Sequence, residues 1–571
     1  MQKAVITGMS NRDVSNYLKL TADLMDLHEE NSFKVRAYQS AAFSIERMEA
    51  TAFDLGESEL QAVNGIGKSL AKELTQWFQS GTFSPYESLI AQTPAGVVTM
   101  LELKGLGPKK VKVLWKELQI TGIDELLDAC KSHKIASLKG FGPKTEEAIL
   151  KAIEEKSAFS SWLHYADAEQ LAKRLTVELN KTDFFDRIEP SGALRRKSEV
   201  MDALALQVLP SKSYSAPKLA DFLKIHYQHE QSGPRNHRFN LSTGQQLELQ
   251  ISNASRWGSD ACLNTGSEAH IYHALPSGSI RTKALSKAYE REEEVYAALG
   301  LPCFEPECRE GFAEFEKHQK GTLDRSIAYG DLKGIIHNHS TYSDGADTVQ
   351  AMAEACRALG MQYFGIADHS KSAFYARGLD ENRVMQQWAE IDQLNTAYSG
   401  FKIFKGIESD ILADGSLDYA EDMLKEFDYV VASIHSNLRM DIEKATARLI
   451  KAIENPYTTL LGHMTGRLLL RREGYPLHID KVLDACVANG VIVELNADPW
   501  RLDIDWRYLG KVEQKGLMIS INPDAHETAG LQNMVYGYYC AKKACFPKEL
   551  VFNTKTLEEV AAYFKSRHGK S

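Results

Sequence analysis

The 571-residue sequence has no apolar run approaching the roughly 18 residues that a membrane-spanning helix needs, so no membrane partner is expected. Its first residues, MQKAVITGMSNRDVSNYL, lack the apolar core and cleavage site of a secretory signal, which makes the cytoplasm the expected location. Cysteine is sparse. The eight cysteines include no Cys-x-x-Cys pair, and the closest spacings, Cys303/Cys308 and Cys540/Cys545, match no zinc-finger pattern. A disulfide framework and a thiolate metal site are thereby excluded, and the thiols are expected to be reduced and mostly buried. An excess of positive charge is missing as well, since 67 Lys and Arg face 77 Asp and Glu. That excludes a protein coated in basic residues but not one that confines them to a single face.

A chain this long has room for several domains of ordinary size. One local cluster breaks the acidic balance: Lys104, Lys109, Lys110, Lys112 and Lys116, with only Glu102 nearby to oppose them before Glu117. The cluster falls inside a repeat. AVNGIGKSLAKEL around Gly65 and Gly67, ELKGLGPKKVKVL around Gly105 and Gly107, and SLKGFGPKTEEAI around Gly140 and Gly142 share one pattern. In each, an apolar-x-Gly-apolar-Gly turn leads into a lysine (Lys68, Lys109 with Lys110, Lys144) and a helical periodicity. Glycines at these positions permit a tight turn that exposes backbone N–H groups at a helix start, where the helix dipole favours a phosphate. One such turn is weak evidence, whereas three copies resemble the helix-hairpin-helix, which grips the DNA backbone without reading sequence.

The stretch ENSFKVRAYQSAAFSIE, upstream of the first hairpin, is similar to the N-terminal domain of family X DNA polymerases. In members with lyase activity a lysine follows the first hairpin; here Glu73 takes that place, with Lys72 and Lys68 nearby, so lyase activity is not expected. Residues 189–208, EPSGALRRKSEVMDALALQV, resemble the palm of the same family. The resemblance implies that Gly192, Arg195 and Arg196 belong to a turn that contacts a nucleotide triphosphate, although the family serine is Ala193. Two aspartates alternating on a strand would hold Mg²⁺ from one face, but Ala203 and Ala205 occupy their positions. Asp202 is one step away and therefore projects to the other face. Glu248, in QQLELQIS, stands where a third carboxylate is expected, while Thr265–Ser267 and the thumb-like stretch EEEVYAALGLPCFEPECREG are retained.

From residue 333 the texture changes to seven apolar runs, each followed by a helical stretch: KGIIHNH, QYFGIADHS, KIFKGIESD, DYVVASIHS, TTLLGHM, VIVELNA and LMISINPDAH. Strand and helix alternating at this spacing predict parallel strands, most simply closed into a barrel. His337, His339, His369, Glu408, His435, His463, Asp524 and His526 all fall at the C-terminal ends of these runs, and Asp344 lies in the loop after the first. Barrel enzymes place their chemistry at that end. A lone His-x-His carries little weight, because roughly 0.5 is expected by chance in a chain with 17 histidines. Core histidines would not, however, all end strands on one rim. Imidazole and carboxylate without thiolate suit Zn²⁺, Mn²⁺ or Fe, and nine ligands suggest two or three ions.

The motifs HNHSTYSDG, IADHS, GIESDI, SIHS, GHMTGRLLLRREGY and NPDAH resemble those of the polymerase and histidinol phosphatase (PHP) domain, a seven-stranded barrel with three metal ions, and all nine of its ligand positions are filled. Nearly the whole chain is similar to bacterial family X DNA polymerases that carry a C-terminal PHP domain. The resemblance implies an N-terminal helical domain over 1–85, a fingers-like helical domain over 86–157, an α/β palm and thumb over 158–318, and a distorted barrel over 331–571. The expected function is metal-dependent phosphodiester hydrolysis, a 3′-to-5′ exonuclease acting in DNA repair on gapped, nicked or 3′ ends, as a monomer. A working polymerase with proofreading, a small-molecule phosphatase and a DNA-end-binding scaffold stand as alternatives.

Overall fold

The computed structural model describes residues 11–568 apart from 47, 49–50, 102, 104, 139, 160–161, 224–226, 233–234 and 242–244. Glu102 and Lys104 of the lysine cluster lie outside the described residues. The chain divides into two compact units, Met1–Ser160 and Ser161–Ser571.

The first unit is helical. Helices α1 (Asn11–Leu27) and α2 (Ser32–Glu46) pack together, and the buried Ser15 hydroxyl donates to the Ala42 carbonyl at 2.9 Å. Then come α3 (Glu57–Ala62), α4 (Lys68–Ser80), α5 (Ser84–Ala91), α6 (Ala95–Leu101), α7 (Pro108–Leu118), α8 (Ile123–Lys131) and α9 (Pro143–Phe159). The three repeats form three turns of one geometry. Gly65, Gly105 and Gly140 have φ of +90°, +87° and +87°, a region that favours glycine. The N–H groups of Ile66, Leu106 and Phe141 donate at 3.0 Å to the carbonyls of Val63, Leu103 and Leu138. The second glycine of each turn, Gly67, Gly107 and Gly142, has its carbonyl bonded into the first turn of the following helix. Pro108 and Pro143 open α7 and α9, where a fixed φ suits helix entry and no N–H is lost.

The second unit begins with a five-stranded sheet of β1 (Phe185–Pro190), β2 (Ala203–Pro210), β3 (Tyr227–Ser232), β4 (Asn236–Leu241) and β5 (Gln246–Ile251), in the order β1-β2-β5-β4-β3. Only β2 and β5 run parallel. Leu204, Leu206, Val208, Leu247 and Leu249 turn one face into a core with Ala168, Ala172 and Leu175 of helix α10 (Tyr165–Asn180).

The barrel strands are β6 (Gly334–Ile335), β7 (Tyr363–Ile366), β8 (Lys402–Asp410), β9 (Tyr429–Ser433), β10 (Leu460–Leu461), β11 (Ile492–Asn496) and β12 (Ile519–Asn522). They are parallel and lie in chain order in one seven-stranded sheet. A parallel bridge from Asn338 to Ala525, with the His339 N–H donating to the Ala525 carbonyl at 2.8 Å, brings the two edges together. Several strands are shorter than their apolar runs, because the chain leaves the ladder as it approaches the rim. His337 and Asp524 have φ of +63° and +53°, conformations incompatible with a continuing strand. Ile336, Tyr429, Val431, Leu460 and Ile492 fill the interior below the rim. A Cβ at Gly365 or Gly406 would fall 2.5 Å from the Tyr429 hydroxyl or 2.3 Å from its ring, so glycine there makes room for the tyrosine.

Palm and barrel are joined within this unit. Tyr165 packs edge-on against Tyr536 and Tyr539 of the helix Met534–Lys543, and Arg507 meets Glu199 at 3.2 Å. Lys543, fully buried, donates to the Arg196 carbonyl at 2.6 Å and to Glu310 at 2.8 Å.

Candidate functional site

The candidates lie at or just beyond the C-terminal ends of the barrel strands, with Asp344 in the loop after the first, and the structure brings all nine to one mouth. Glu408, two residues before the C-terminal end of β8, is the centre. One or other of its carboxylate oxygens lies 3.3 Å from His337 Nε2, 3.7 Å from His339 Nε2 and 2.9 Å from His369 Nδ1. Its Oε1 also lies 3.2 Å from His435 Nε2 and 3.0 Å from His463 Nε2. Asp344 is shared by His339, His369 and His526, at 3.9, 3.6 and 3.4 Å. Asp524 meets His339 Nε2 at 2.9 Å and His337 Nε2 at 3.6 Å. The residues fall into three overlapping groups compact enough to share an ion: His339, Asp344, His369 and His526; His337, His339 and Asp524; His369, Glu408 and His435.

The electrostatics fit cations. Burial disfavours charge on His435, yet Glu408 and Asp410 outweigh it and push its pKa to about 10. His526 is raised to about 9 against burial by Asp344 and Asp524. The same contest, won by the imidazoles, holds Glu408 and Asp524 well below the usual carboxylate range. His339 is instead lowered, by burial and by the neighbouring His526 and His369. His337 Nε2, His339 Nδ1 and Glu408 Oε2 are buried and make no hydrogen bond. Nitrogen and oxygen donors without sulfur, shared between groups, make this a divalent-metal site. The way in is from one side, since His337 and Glu408 are buried at the floor while the Asp344 and His526 side chains are 34% and 41% exposed.

Sequence reasoning missed the groups behind the donors. His337 Nδ1 lies 2.5 Å from Glu494, and His435 Nδ1 lies 2.5 Å from Asp410. Asp368 accepts from the backbone N–H groups of Ser340 and Ser343, both hydroxyls and Gln387, which fixes the loop that carries Asp344. Arg501 places its Nε 3.8 Å from Asp524. The one signal in the sequence was an acidic residue inside an apolar strand, as in VIVELNA.

In the hairpins, a Cβ at Gly67, Gly105, Gly107, Gly140 or Gly142 would meet nothing within 4 Å, so the backbone is open to close approach. Gly65 differs: its Cβ would fall 2.7 Å from the Ser40 hydroxyl of α2. Lys68, Lys109 and Lys144 are exposed, and Lys110 donates to the Gly105 carbonyl at 3.2 Å. Lys112 is engaged by Glu29, and Lys116 stands 3.6 Å over the Trp115 ring, so the lysine cluster is not uniformly available. Glu73 accepts a hydrogen bond from Tyr38.

In the palm, Ala205 pairs in register with Glu248 and Ala203 with Gln246, and the ladder runs unbroken from Ala203 to Val208. Ala203, Ala205 and Glu248 therefore share a face, and Asp202 is exposed ahead of the ladder with no bulge to re-aim it. Glu248 accepts from Asn236 at 2.9 Å. Gly192, with φ of +55°, opens the short helix α11 (Gly192–Arg195), followed by Arg196; a Cβ on it would lie 3.2 Å from that of Ala205. Arg195 is held by Glu292 at 3.0 and 2.5 Å and by the Thr265 hydroxyl at 2.9 Å. Arg196 donates to the Thr265 carbonyl at 2.6 Å and to Glu310 at 3.2 Å.

Comparison with known proteins agrees with this arrangement. Residues 9–83 match the helix-hairpin-helix domain, 97–155 the SAM-like helix-hairpin-helix tandem, and 336–498 the PHP domain. The DNA polymerase/3′-5′ exonuclease PolX of Bacillus subtilis (strain 168) is 33% identical over 98% of this chain and 100% of its own length. The chain belongs to the bacterial PolX family. Its barrel is also similar to smaller proteins. A probable phosphatase of Caldanaerobacter subterraneus is 26% identical over 40% of this chain and 90% of its own length, and one of Acetivibrio thermocellus is 28% identical over 40% and 94%. PolX membership and the hairpins make this a DNA-binding protein, and the PHP domain accounts for the metal-binding barrel.

Proposed function

We propose that the chain hydrolyses phosphodiester bonds at DNA 3′ ends, as a 3′-to-5′ exonuclease of DNA repair, and does not itself extend primers. The observation that carries the reading is the convergence of His337, His339, Asp344, His369, Glu408, His435, His463, Asp524 and His526 on one barrel mouth. These nine would hold two or three divalent ions, Mn²⁺ or Zn²⁺ or Fe, which acidify a water and offset charge on a phosphoryl group. Glu408 and Asp344, each shared among imidazoles, keep the donor sets in contact. The phosphate enters from the open side at Asp344 and His526, where the Arg501 guanidinium meets its charge. The turns at Gly65/Gly67/Lys68, Gly105/Gly107/Lys109/Lys110 and Gly140/Gly142/Lys144 hold the DNA backbone, whatever its sequence, at gapped, nicked or free 3′ ends. The domains are assigned as 1–85, 86–157, 158–318 and 331–571, in a cytoplasmic monomer.

Polymerase activity is the second reading, favoured by the name of the Bacillus relative. Against it stand two alanines beside a Glu248 already bonded to Asn236, and two palm arginines already held by Glu292 and Glu310. The decisive assay is end-labelled DNA with Mn²⁺, comparing the wild type with His339→Ala and Asp524→Ala. Shortening by the wild type alone, with DNA binding retained in the variants, is the expected result; variants that degrade DNA at the wild-type rate would overturn the assignment.

A further inference from the structure

Glu494 is a carboxylate with no exposed surface, set in the barrel wall one layer below the mouth. On β11 its neighbours on the same face are Ile492 below, part of the interior apolar plug, and Asn496 above, which donates to Asp524 at 3.1 Å. A buried charge is strongly unfavourable unless its oxygens are satisfied. Here they are. Oε1 meets His337 Nδ1 at 2.5 Å and accepts from Asn522 Nδ2 at 2.9 Å; Oε2 accepts from the His463 N–H at 2.7 Å and Asn496 Nδ2 at 3.3 Å. Four donors fill the places around one carboxylate, and they come from the ends of four strands. A carboxylate can only accept, so His337 must keep its proton on Nδ1, which leaves the Nε2 lone pair facing the space it shares with Glu408 and Asp524. That Nε2 makes no hydrogen bond. Asp410, three strands away on β8, does the same for His435: Oδ1 meets Nδ1 at 2.5 Å, and Nε2 faces Glu408 at 3.2 Å.

We infer that Glu494 and Asp410 are positioning residues that fix the tautomer and aim of His337 and His435, so that the affinity of the barrel for divalent ions depends on two carboxylates that touch neither the ion nor the DNA. The inference rests on the reading of the nine mouth residues as metal ligands. His337 reaches its place through a backbone with φ of +63°, where an L residue is disfavoured, and the Glu494 bond is what holds the ring there. Neutralising Glu494 as glutamine preserves shape but puts an amide donor against one of four donors, so the set can no longer be satisfied.

The full chain and its Glu494→Gln, Asp410→Asn and His339→Ala variants would be stripped with chelator and titrated with Mn²⁺ against a competing chelating dye. Co²⁺ loading would be followed by its visible absorption. Removal of such supporting groups weakens metal binding by about 10- to 100-fold, and that loss is expected for Glu494→Gln and Asp410→Asn, with an altered Co²⁺ band. Circular dichroism and DNA binding should stay at wild-type values, which a general loss of structure would not allow. Wild-type Mn²⁺ affinity and an unchanged Co²⁺ band in both variants would overturn the inference. Should Glu494→Gln not fold, Asp410→Asn decides alone. A His339→Ala chain that still loads its full complement of metal would instead bring down the reading of the mouth itself, and the inference with it.

Discussion

Gly105 and Gly107 stand two residues apart in the second hairpin turn, and alanine at each tests a different property. Neither position has an atom within 4 Å of where a Cβ would lie, so packing contributes nothing to either substitution. Gly105 has φ of +87°, where an L residue costs about 1–2 kcal/mol. A loss of unfolded-state freedom returns about 0.4–1 kcal/mol, leaving Gly105→Ala net destabilising by about 1 kcal/mol. Gly107 has φ −82° and ψ 169°, which alanine adopts freely, and a modest helix-cap penalty cancels against the same entropic gain. Gly107→Ala should therefore leave stability within about 0.5 kcal/mol of wild type. Its effect should appear in binding, because a methyl group would hold a phosphate away from the N–H groups that open α7. One lost hydrogen bond to a charged group is worth about 1.5–3 kcal/mol, or roughly ten- to a hundredfold in Kd. The assay is hydrogen exchange over residues 105–118 for local stability and fluorescence anisotropy with duplex DNA for affinity. Wild-type DNA affinity in Gly107→Ala, measured at low salt, would refute the claim that the turn is where phosphate approaches.

Neutralising Lys109 and Lys110 together should lower the slope of log affinity against log salt by about 2, measured by DNA titrations between low and moderate ionic strength. A His339→Ala chain given a gapped template, all four nucleotides and Mg²⁺ or Mn²⁺ should extend nothing, and metal-dependent extension above a contamination control would show the palm to be active. Glu292 carries a pH prediction. Burial would raise its pKa above the ordinary 4.5, but Arg195 and Arg309 outweigh burial and hold it lower. A depressed folded-state value gives stability that is complete above about pH 4.5 and fades as pH falls through that folded value. Thermal melts in acid should show the decline, and Glu292→Gln should flatten it while lowering stability at neutral pH.

The mouth of the barrel was legible because strand ends impose a pattern: a donor at the end of six of the seven apolar runs needs no knowledge of what it touches. The alanines at the two alternating palm positions, Ala203 and Ala205, were legible for the same reason, with Glu248 the carboxylate that remains. What could not be read were partnerships across long separations. Glu494 lies 157 residues from His337, and Glu292 and Glu310 lie 97 and 114 residues from the arginines they hold. Strand lengths were overestimated where ligands bend the chain: KGIIHNH reads as seven extended residues, but the continuous ladder holds only Gly334–Ile335, His337 turns left-handed, and Asn338 makes an isolated bridge to Ala525. The lysine cluster looked uniform in sequence, yet Glu29, from the turn between α1 and α2, takes Lys112 out of it.

The ammonium of Lys543 ties the palm to the barrel independently of any chemistry in the palm. This cation belongs to the barrel, has no access to water, and is neutralised by a carbonyl and a carboxylate that both belong to the polymerase-like half. The turn around Arg196 is thereby held from two sides, by Lys543 of the barrel and by Glu310 and Thr265 of its own half. Excising that half would remove both partners and uncover the ammonium, exchanging a buried pair for a hydrated lysine on a newly bared face. A barrel trimmed to residues 331–571 should therefore lose solubility through Tyr536 and Tyr539, whose rings now pack on the palm, rather than through Lys543.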